Sequence, residues 1–441
     1  MTKSKEDILR LIDEAGVRYI RLCFTDILGK IKGMSITRSE IEQVLDEGQG
    51  FDGSSVEGFA RIEESDLMAI PDPITFRVIP WQIAGEKVAT MFCDIQNPDG
   101  TPYEGDPRWI LKRTLNRLAD KGWTFYVGPE IEYFYFENEN DTAILDKAGY
   151  FDYESVDIGT RVRKETVRAL EEMGIAVECS HHEVAPSQHE IDLKYQEGLV
   201  MADFSQLYKF VVKEVAMDNK LYATFMPKPI FGQNGSGMHC HMSLFKGKKN
   251  LFFDAGGEYN LSEIGRQFTA GILRHIKEFT LVTNQWVNSY KRLVPGYEAP
   301  VYVSWGRRNR SSMVRVPMYR VGKEQATRIE LRSPDPAANP YLAFACMLSA
   351  GLKGVENGYD LGKPVEENIF NMSALEKEGL AIDTLPNSLE NAVNEFANSE
   401  FVREALGDHV FEKLIANKRI EWDSYRMHVS QFETDKYLPL L

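Results

Sequence analysis

The sequence has little of several features that mark whole classes of protein. Its five cysteines lie far apart and form no C-x-x-C pair, which excludes a zinc ribbon and disfavours a disulfide framework. No run approaches about 18 apolar residues, and the first residues lack an apolar signal region, so we expect a cytoplasmic protein without a membrane span. Its 51 basic residues are outnumbered by 66 acidic ones, and the net charge of −15 argues against a nucleic-acid or anionic-membrane partner.

The two common nucleotide-binding loops are missing as well. The chain contains neither the P-loop pattern G-x-x-x-x-G-K-[ST] nor the dinucleotide pattern G-x-G-x-x-G. Any nucleotide that binds must therefore be held by another architecture.

The length and the order of local signals predict two domains. A chain of 441 residues is too long for one compact core. Ser4 and Asp7 predict the start of a helix that Gly16 ends, and strands and a short helix then alternate as in a small mixed α/β domain. Turn-rich residues between 97 and 107 predict a linker, and Asp106 with Pro107 predicts the helix that follows it. Further helices are predicted near 160–173, 197–218, 262–283, 336–356 and 386–417.

The stretch 234–243, NGSGMHCHMS, carries the first candidate site residues. Its second half alternates like a strand, so His239, His241 and Ser243 share one face while Met238 and Cys240 share the other. Taken alone, this pattern favours a half-exposed strand with two surface histidines. Three further stretches that present carboxylates favour a common cation instead.

Glu130 and Glu132 lie on one face of a predicted strand. Two carboxylates at this spacing repel by roughly 2–3 kcal/mol at an effective dielectric constant of about 20, a cost that water would screen if the pair were exposed. Phe134 and Phe136 follow on the same face and indicate burial. A buried pair must take up a proton or bind a cation.

The stretch 181–190, HHEVAPSQHE, adds Glu183 and Glu190. It superficially resembles the zinc-protease motif H-E-x-x-H, but His182 and His189 are seven residues apart with Pro186 between them. No single helical turn presents such a pair, so we reject a metalloprotease.

Glu330 lies in the predicted strand RIELR at 328–332, facing the same way as Arg328 and Arg332. A cross-strand salt-bridge ladder explains this pattern on its own. Further arginines lie upstream at 292, 310 and 315, however, and arginines beside carboxylates suit phosphate or carboxylate substrates. An oxygen-rich ligand set favours Mg²⁺ or Mn²⁺ over Zn²⁺, and metals with arginines indicate phosphoryl transfer.

Five motifs in the same order resemble those of the bacterial and archaeal type I glutamine synthetases. They are FDGSS at 51–55, NGSGMH at 234–239, KRLVPGYEAP at 291–300, RIELR at 328–332 and PDPAANPYL at 334–342. The resemblance implies an α+β fold, with an N-terminal β-grasp domain over 1–104 and a catalytic domain of curved antiparallel sheet with helices over 105–441. It also implies a homo-oligomer of two stacked hexameric rings, a dodecamer.

The resemblance further implies roles for individual residues. One metal ion would be held by Glu132, Glu183 and Glu190, and the other by Glu130, His239 and Glu330. The nucleotide site would use Glu178, Phe225, His241, Ser243, Arg315 and Arg328. Glutamate would be held by Asn234, Gly235, Arg292, Arg310 and Arg332, under a flap that carries Glu298. Asp52 and Ser55 of a neighbouring subunit would form the ammonium site with Tyr150.

The implied reaction joins ammonia to the γ-carboxylate of L-glutamate with ATP, through γ-glutamyl phosphate. A γ-glutamylamide ligase that uses a larger amine, a phosphagen kinase and a silent nitrogen sensor are the alternatives, and retention of Asp52, Tyr150, Glu183 and Glu298 favours ammonia. Phe370 stands where adenylylated relatives carry tyrosine, so direct feedback by glutamine through Arg61 is expected. A surface salt bridge to Glu63 or Glu64 is the alternative for Arg61. A nitrogen-regulatory protein is a possible partner.

Overall fold

A computed structural model describes residues 4–56, 58, 66–153, 156–297, 299–309, 311–380 and 382–441. The N-terminal part contains α1 (Lys5–Ala15), β1 (Val17–Thr25), β2 (Ile31–Thr37), α2 (Ile41–Glu47), β3 (Gln49–Asp52), β4 (Asp66–Pro71), β5 (Arg77–Ile83) and β6 (Glu86–Gln96). The predicted start of α1 is confirmed, because the Ser4 hydroxyl accepts from the Asp7 amide and the Asp7 carboxylate accepts from the Ser4 amide. Gly16 ends the helix at φ 68°, a left-handed conformation that glycine adopts without strain.

The N-terminal sheet has β1 and β6 as a parallel central pair. Its strand order is β2-β1-β6-β4-β3. In addition, β5 pairs with the first half of β6, antiparallel to it. A compact apolar core lies between this sheet and α1 and α2, with Ile8, Ile12, Ile20 and Met91 among its fully buried members. This arrangement agrees with the expected β-grasp domain.

The larger part of the chain supplies a second sheet and most of the helices. Its strands are β7 (Trp123–Phe136), β8 (Val177–His182), β9 (Gln188–Leu193), β10 (Gln196–Glu197), β11 (Tyr222–Thr224), β12 (Met238–Lys246), β13 (Lys249–Asn250), β14 (Tyr302–Gly306), β15 (Ser312–Arg315), β16 (Ile329–Leu331) and β17 (Asp383–Thr384). Its helices are α3 (Pro107–Asn116), α4 (Thr160–Glu172), α5 (Gly198–Asp218), α6 (Glu263–Thr283), α7 (Ser289–Arg292), α8 (Pro340–Glu356), α9 (Ala374–Gly379), α10 (Leu389–Ala397), α11 (Glu400–Leu406), α12 (Asp408–Met427) and α13 (Gln431–Tyr437).

The second sheet runs in the order β17-β14-β15-β16-β12-β7-β9-β8. Its pairs are antiparallel apart from β14 with β15, which are parallel, so the sheet is mixed rather than wholly antiparallel as expected. The long strand β7 pairs with β12 on one side and with β9 on the other, which makes these three strands the centre of the sheet. The apolar faces of β7 and β12 pack in the same large core as α5, α6 and α8.

The single helix predicted near 386–417 is wrong, because the chain forms α10, α11 and α12 there. The Ser399 hydroxyl accepts from the Val402 amide and starts α11. Gly407, at φ 83°, ends α11 and precedes α12, a backbone conformation that breaks a continuous helix. Within the ranges that the structure describes, no helix is both long enough and apolar enough to span a bilayer.

Arg108 joins the two parts of the molecule. Its buried guanidinium donates to Asp203 on α5 through two bonds of 3.0 Å, to Asp94 on β6 at 2.5 Å and to Asp72 at 2.8 Å. The Tyr341 hydroxyl also donates to Asp203, at 2.6 Å. The carboxylates of both parts therefore share one cation.

Candidate active site

The first predicted ligand set comes together on three neighbouring strands. His239 on β12 lies opposite Glu130 on β7. His241, the next residue on the same face of β12, lies opposite Glu330 on β16. His239 Nδ1 lies 3.3 Å from a Glu130 oxygen and 3.8 Å from a Glu330 oxygen. The potential ligand atoms of Glu130, His239 and Glu330 all lie within 4.8 Å of one another. Alternation along the strands thus brings three potential ligands, two carboxylates and one imidazole, to one point.

Basic neighbours keep these carboxylates charged. Burial acts to raise the pKa of Glu130, but hydrogen bonds from His239 and His241 outweigh it and hold that pKa below its ordinary value. Burial also opposes ionisation of Glu330, but the neighbouring His241, His239 and Arg315 lower its pKa. Arg315 Nε donates directly to Glu330. Both groups are therefore ready as anionic ligands near neutral pH.

The second predicted set lies beside the first. The pKa values of two of its carboxyl groups are raised, whereas those of the first set are lowered. Glu132 on β7 lies opposite Glu190 on β9. Burial raises the pKa of Glu132 to about 7, although the Arg292 charge and the Gly237 amide act against the rise. Burial, together with the charges of Asp192 and Glu132, raises the pKa of Glu190 well above its ordinary value. A divalent cation would replace the protons that these pKa values imply.

His181 is a residue that the sequence reasoning missed at this point. It lies opposite Glu190, its Nε2 is 3.4 Å from a Glu190 oxygen and its Nδ1 is 3.6 Å from a Glu183 oxygen. The potential ligand atoms of His181, Glu183 and Glu190 form a group within 4.8 Å, whereas Glu132 lines the same cleft outside that group. The i, i+2 spacing of His181 and Glu183 was the available signal.

His182 was also missed, and it fixes the backbone that carries Glu183. Its Nε2 lies 2.9 Å from an Asp146 carboxylate oxygen and its Nδ1 lies 2.7 Å from the Glu183 carbonyl oxygen. Both ring nitrogens thus face acceptors, an arrangement that the doubly protonated ring satisfies. Burial opposes that form, but the bond to Asp146 raises the pKa of His182.

The metal-ligand candidates line a cleft of about 400 Å³ together with most of the predicted glutamate-binding residues. Asn234, Gly235, Arg292, Arg332 and Tyr150 all contribute to its wall. The buried Arg292 guanidinium donates to the carbonyl oxygens of residues 332, 333 and 334, which fixes its orientation. Gly235 is required sterically, since a Cβ there would lie 2.3 Å from the Pro227 carbonyl oxygen.

A second cleft of about 290 Å³ adjoins the first and shares Glu130, Cys179 and Asp192 with it. Four of the predicted nucleotide-binding residues line this second cleft: Glu178, His241, Ser243 and Arg328. Arg328 Nε donates to His241 Nδ1 at 3.2 Å, and His241 Nε2 donates to Glu130 at 2.7 Å. This chain of bonds links the two clefts.

Two predicted nucleotide-binding residues lie elsewhere. Arg315 lines the larger cleft, where it contacts Glu330. Phe225 is buried against Tyr133 and Tyr208 and lines a separate groove, so its role beside Glu178 and His241 stays a prediction. Tyr195 presents an aromatic ring to the second cleft instead, in edge contact with Tyr126.

Several predicted residues are not among the lining residues of either cleft. Asp52 ends β3 in the N-terminal sheet, where one carboxylate oxygen accepts from the Ser54 amide at 2.8 Å, and Ser55 follows it. Glu298, Arg310 and Arg61 lie outside the described residues.

Comparison with known protein families matches nearly the whole chain. The model described as "Glutamine synthetase, beta-Grasp domain" matches residues 16–98, and "Glutamine synthetase, catalytic domain" matches residues 104–437. Glutamine synthetase of Staphylococcus aureus is 50% identical over 442 residues, which cover 99% of this chain and 98% of the relative. Glutamine synthetase of Staphylococcus epidermidis is 50% identical over 440 residues, with the same coverage of both chains.

Two solved structures are also similar to this chain over nearly its whole length. The chain named GmaS, in its complex with ADP, superposes with a TM-score of 0.89 at 32% identity, and the match covers 100% of both chains. Plasmodium falciparum glutamine synthetase, determined by cryo-electron microscopy, gives a TM-score of 0.89 at 26% identity and covers 98% of both chains.

Proposed function

Because the chain belongs to the glutamine synthetase family of glutamate–ammonia ligases, we propose that its two adjoining clefts join ammonia to the γ-carboxylate of L-glutamate with ATP. A carboxylate is a poor electrophile, so its γ-oxygen first takes the terminal phosphoryl group to give γ-glutamyl phosphate. The observation that carries the proposal is the convergence of two acidic ligand sets with Arg292, Arg315 and Arg332 in one cleft. Such a site offsets the charge of two anions that must approach each other.

Mg²⁺ or Mn²⁺ fits the donor atoms of both sets. We assign Glu130, His239 and Glu330 to the ion beside the nucleotide cleft, and Glu132, Glu183 and Glu190 to the ion nearer glutamate. The raised pKa values of Glu132 and Glu190 support a resident cation, since burial leaves these carboxyl groups poorly compensated. When bound, the ions neutralise developing charge on the phosphoryl oxygens.

The nucleotide is proposed to lie in the smaller cleft, against Glu178, His241, Ser243 and Arg328. Phe225 keeps its predicted place in the nucleotide site, and Tyr195 adds a flat ring at the wall of the cleft that can stack on a base. Arg315 lies at the junction with the larger cleft, where the phosphates would point. The ADP complex of the similar GmaS chain supports a nucleotide in this family fold.

The glutamate substrate is proposed to bind through Asn234, Gly235, Arg292, Arg310 and Arg332, with Glu298 closing over it. Arg292 supports this assignment because three backbone carbonyl oxygens hold its guanidinium in place before substrate arrives. A pre-oriented arginine loses little side-chain freedom when a carboxylate binds.

Ammonium is proposed to bind at a subunit boundary within a homo-oligomer of two hexameric rings. Asp52 and Ser55 would come from the neighbouring subunit and meet Tyr150. Asp52 would accept a proton from ammonium, since only neutral ammonia is a nucleophile. The separation of Asp52 from the cleft-lining residues of its own chain supports this arrangement.

We place the domain boundary at residues 104 and 105, because Tyr103 packs in the N-terminal core and Ile110 in the large core.

The activity is tested by following phosphate release with ATP, L-glutamate and either ammonium or a panel of small primary amines. We expect ammonium to give the highest kcat/KM. A larger amine that outperforms ammonium would identify a γ-glutamylamide ligase, which the 50% identity to glutamine synthetases disfavours. Phosphoryl transfer to a guanidine acceptor would identify a phosphagen kinase, and binding of ATP and glutamate without turnover would identify a sensor.

The shared site is tested by mixing two inactive variants. Asp52→Ala removes the proton acceptor, and Glu330→Ala removes a metal ligand. In rings assembled at random from both variants, about one interface in four combines an intact Asp52 with an intact Glu330, so activity near a quarter of wild type is expected. Mixed oligomers that are confirmed by mass and stay inactive would show that the site lies within one chain.

Regulation is proposed to act by glutamine feedback through Arg61, without adenylylation at Phe370. Phe370 packs its ring against Tyr302 and has no hydroxyl to modify. Arg61→Ala should weaken inhibition by glutamine, and unchanged inhibition would leave only the salt bridge to Glu63 or Glu64. We further propose a nitrogen-regulatory protein as a partner. We propose the cytoplasm as the location, because five free cysteines fit a reducing compartment.

A further inference from the structure

Cys179 differs from the other cysteines of the chain in being exposed, whereas Cys23, Cys93, Cys240 and Cys346 are buried. It lies on β8, directly opposite Asp192 on β9. Its Sγ donates to an Asp192 carboxylate oxygen at 2.7 Å. A thiol hydrogen bond to a carboxylate at this distance brings two potential ligand atoms to one point.

An imidazole completes the group. His181 follows Cys179 by two residues on β8 and therefore projects from the same face. The potential ligand atoms of Cys179, His181 and Asp192 all lie within 4.8 Å of one another. Ligands of one tetrahedral ion, at about 2.0–2.3 Å from it, fit within that span.

The chemistry of this group differs from that of the two carboxylate sets. Mg²⁺ and Mn²⁺ prefer oxygen ligands and gain little from sulfur. A thiolate, an imidazole and a carboxylate are the ligands that Zn²⁺ and the softer Cd²⁺ prefer. We propose that Cys179, His181 and Asp192 form an additional cation site that selects a thiophilic divalent ion, Zn²⁺ or Cd²⁺.

Binding at this site exchanges one cation for one proton. The ion takes the position between Sγ and the Asp192 oxygen that the thiol hydrogen now occupies, and that proton leaves to solvent. The sulfur–cation bond forms as the sulfur–hydrogen bond breaks, and no redox partner is needed.

From the location of the site we expect a bound Zn²⁺ or Cd²⁺ ion to inhibit the proposed ligase activity. Cys179 and Asp192 line both clefts, so an ion there lies where the two clefts meet. His181 also belongs to the group with Glu183 and Glu190. An ion bound by Cys179, His181 and Asp192 therefore holds this imidazole away from Glu183 and Glu190, while the hard cation keeps the three carboxylate ligands that we assign to it.

The test is a spectroscopic titration of the full-length protein with Cd²⁺ in excess Mg²⁺, which keeps the oxygen-rich sets filled. Wild type should show a sulfur-to-cadmium charge-transfer band in the ultraviolet that saturates at one ion per chain, with release of a proton. Cys179→Ala should lose the band. Asp192→Asn should keep it but bind Cd²⁺ about tenfold or more weakly.

Cys346→Ala is the matched control, because that thiol is buried in α8 and should not contribute. Cys179→Ser serves as a second variant that preserves a hydrogen bond to Asp192, and it should lose the band as well. A band that survives in both Cys179 variants, or its absence from wild type, would overturn the proposal. The readout requires no catalysis, so it is independent of the outcome for the proposed ligase activity.

Discussion

Two of the regions in which the molecule buries acidic side chains compensate their charges in opposite ways. At the junction of its two parts, Asp72, Asp94 and Asp203 surround the guanidinium of Arg108 at 2.5–3.0 Å. Burial acts against a charged guanidinium, but Asp203 and Asp94 raise the pKa of Arg108 well above its ordinary value. This region is a closed network in which the protein supplies both charges.

The candidate active site lacks such closure in its second ligand set. Glu132 accepts hydrogen bonds from the Gln188 side chain at 2.8 Å and from the Gly237 amide at 2.9 Å, yet burial still raises its pKa to about 7. Burial also raises the pKa of Glu190, which lies opposite Glu132, well above its ordinary value. The carboxyl groups are thus oriented as ligands while their charge is left for something else to balance.

The difference separates a structural cluster from a binding site without reference to any relative. A structural network satisfies its own charges, because an uncompensated buried charge costs several kcal/mol. A site that must receive a cation leaves its carboxylates oriented and poorly compensated. Breaking the first region should therefore destabilise the fold, whereas neutralising the second should stabilise the metal-free protein.

The largest expected effect comes from breaking the closed network. Arg108→Met leaves the buried Asp203 near the half-buried Asp72 and Asp94 without their shared cation, and we expect the free energy of unfolding to fall by about 3–5 kcal/mol, measured by urea denaturation. Arg10→Met is the matched control, because Arg10 pairs with Asp7 on the surface at 3.1 Å and should cost less than about 1 kcal/mol. Equal losses for the two variants would remove the distinction between the regions.

Much of the candidate site follows from side-chain alternation along strands. The period of two placed Glu130 with Glu132 and His239 with His241 on single faces, and the family resemblance supplied the grouping of the candidate ligands into two sets. His181 obeys the same rule with Glu183, but the sequence reasoning weighed only the carboxylates there. Cross-strand neighbours such as His181 and Glu190 depend on register, which a strand does not reveal by itself.

Other features depend on contacts between residues distant in sequence. The Arg108 network joins positions 72, 94, 108 and 203, and no local pattern indicates that they meet. Phe225 and Tyr195 are both aromatic residues near the ends of elements, and only the packing of Phe225 against Tyr133 and Tyr208 separates them. Ser399 and Gly407 break the helix that was predicted near 386–417. The prediction gave more weight to the helical pattern of the whole stretch than to these two local signals.

An effect of the next size concerns pH in the metal-free protein. The folded-state pKa of Glu132 is about 7, against an ordinary value of 4.5, so between these limits the folded state binds more protons than the unfolded state. Its contribution to stability is present below pH about 4.5 and is lost as pH rises to about 7, a change of about 3 kcal/mol. Glu190 acts in the same direction.

Denaturation of the chelated protein across this pH range measures the effect. Glu132→Gln should flatten the dependence and raise stability above pH 7, while the exposed Glu137→Gln should leave the profile as in wild type. Excess Mg²⁺ should restore stability at high pH by replacing the proton. A profile that rises with pH in the metal-free wild type would contradict the incomplete compensation of Glu132.

The smallest expected effect distinguishes the two ligand sets within the active site. Glu130, whose ligand atoms lie within 4.8 Å of those of Glu330, lines the cleft that we assign to the nucleotide, whereas Glu132 lines only the larger cleft and lies outside that group. In calorimetric titrations with ADP and Mg²⁺, Glu330→Ala should therefore weaken ADP binding by about tenfold or more, because it would remove a ligand of the ion that we assign to the nucleotide. Glu132→Ala should change ADP affinity less and glutamate affinity more. Because each variant removes one buried carboxylate from the same cleft, each serves as the control for the other. Equal losses of ADP affinity would show that the sets act as a single acidic cluster, and the assignment of separate ions to nucleotide and glutamate would be wrong.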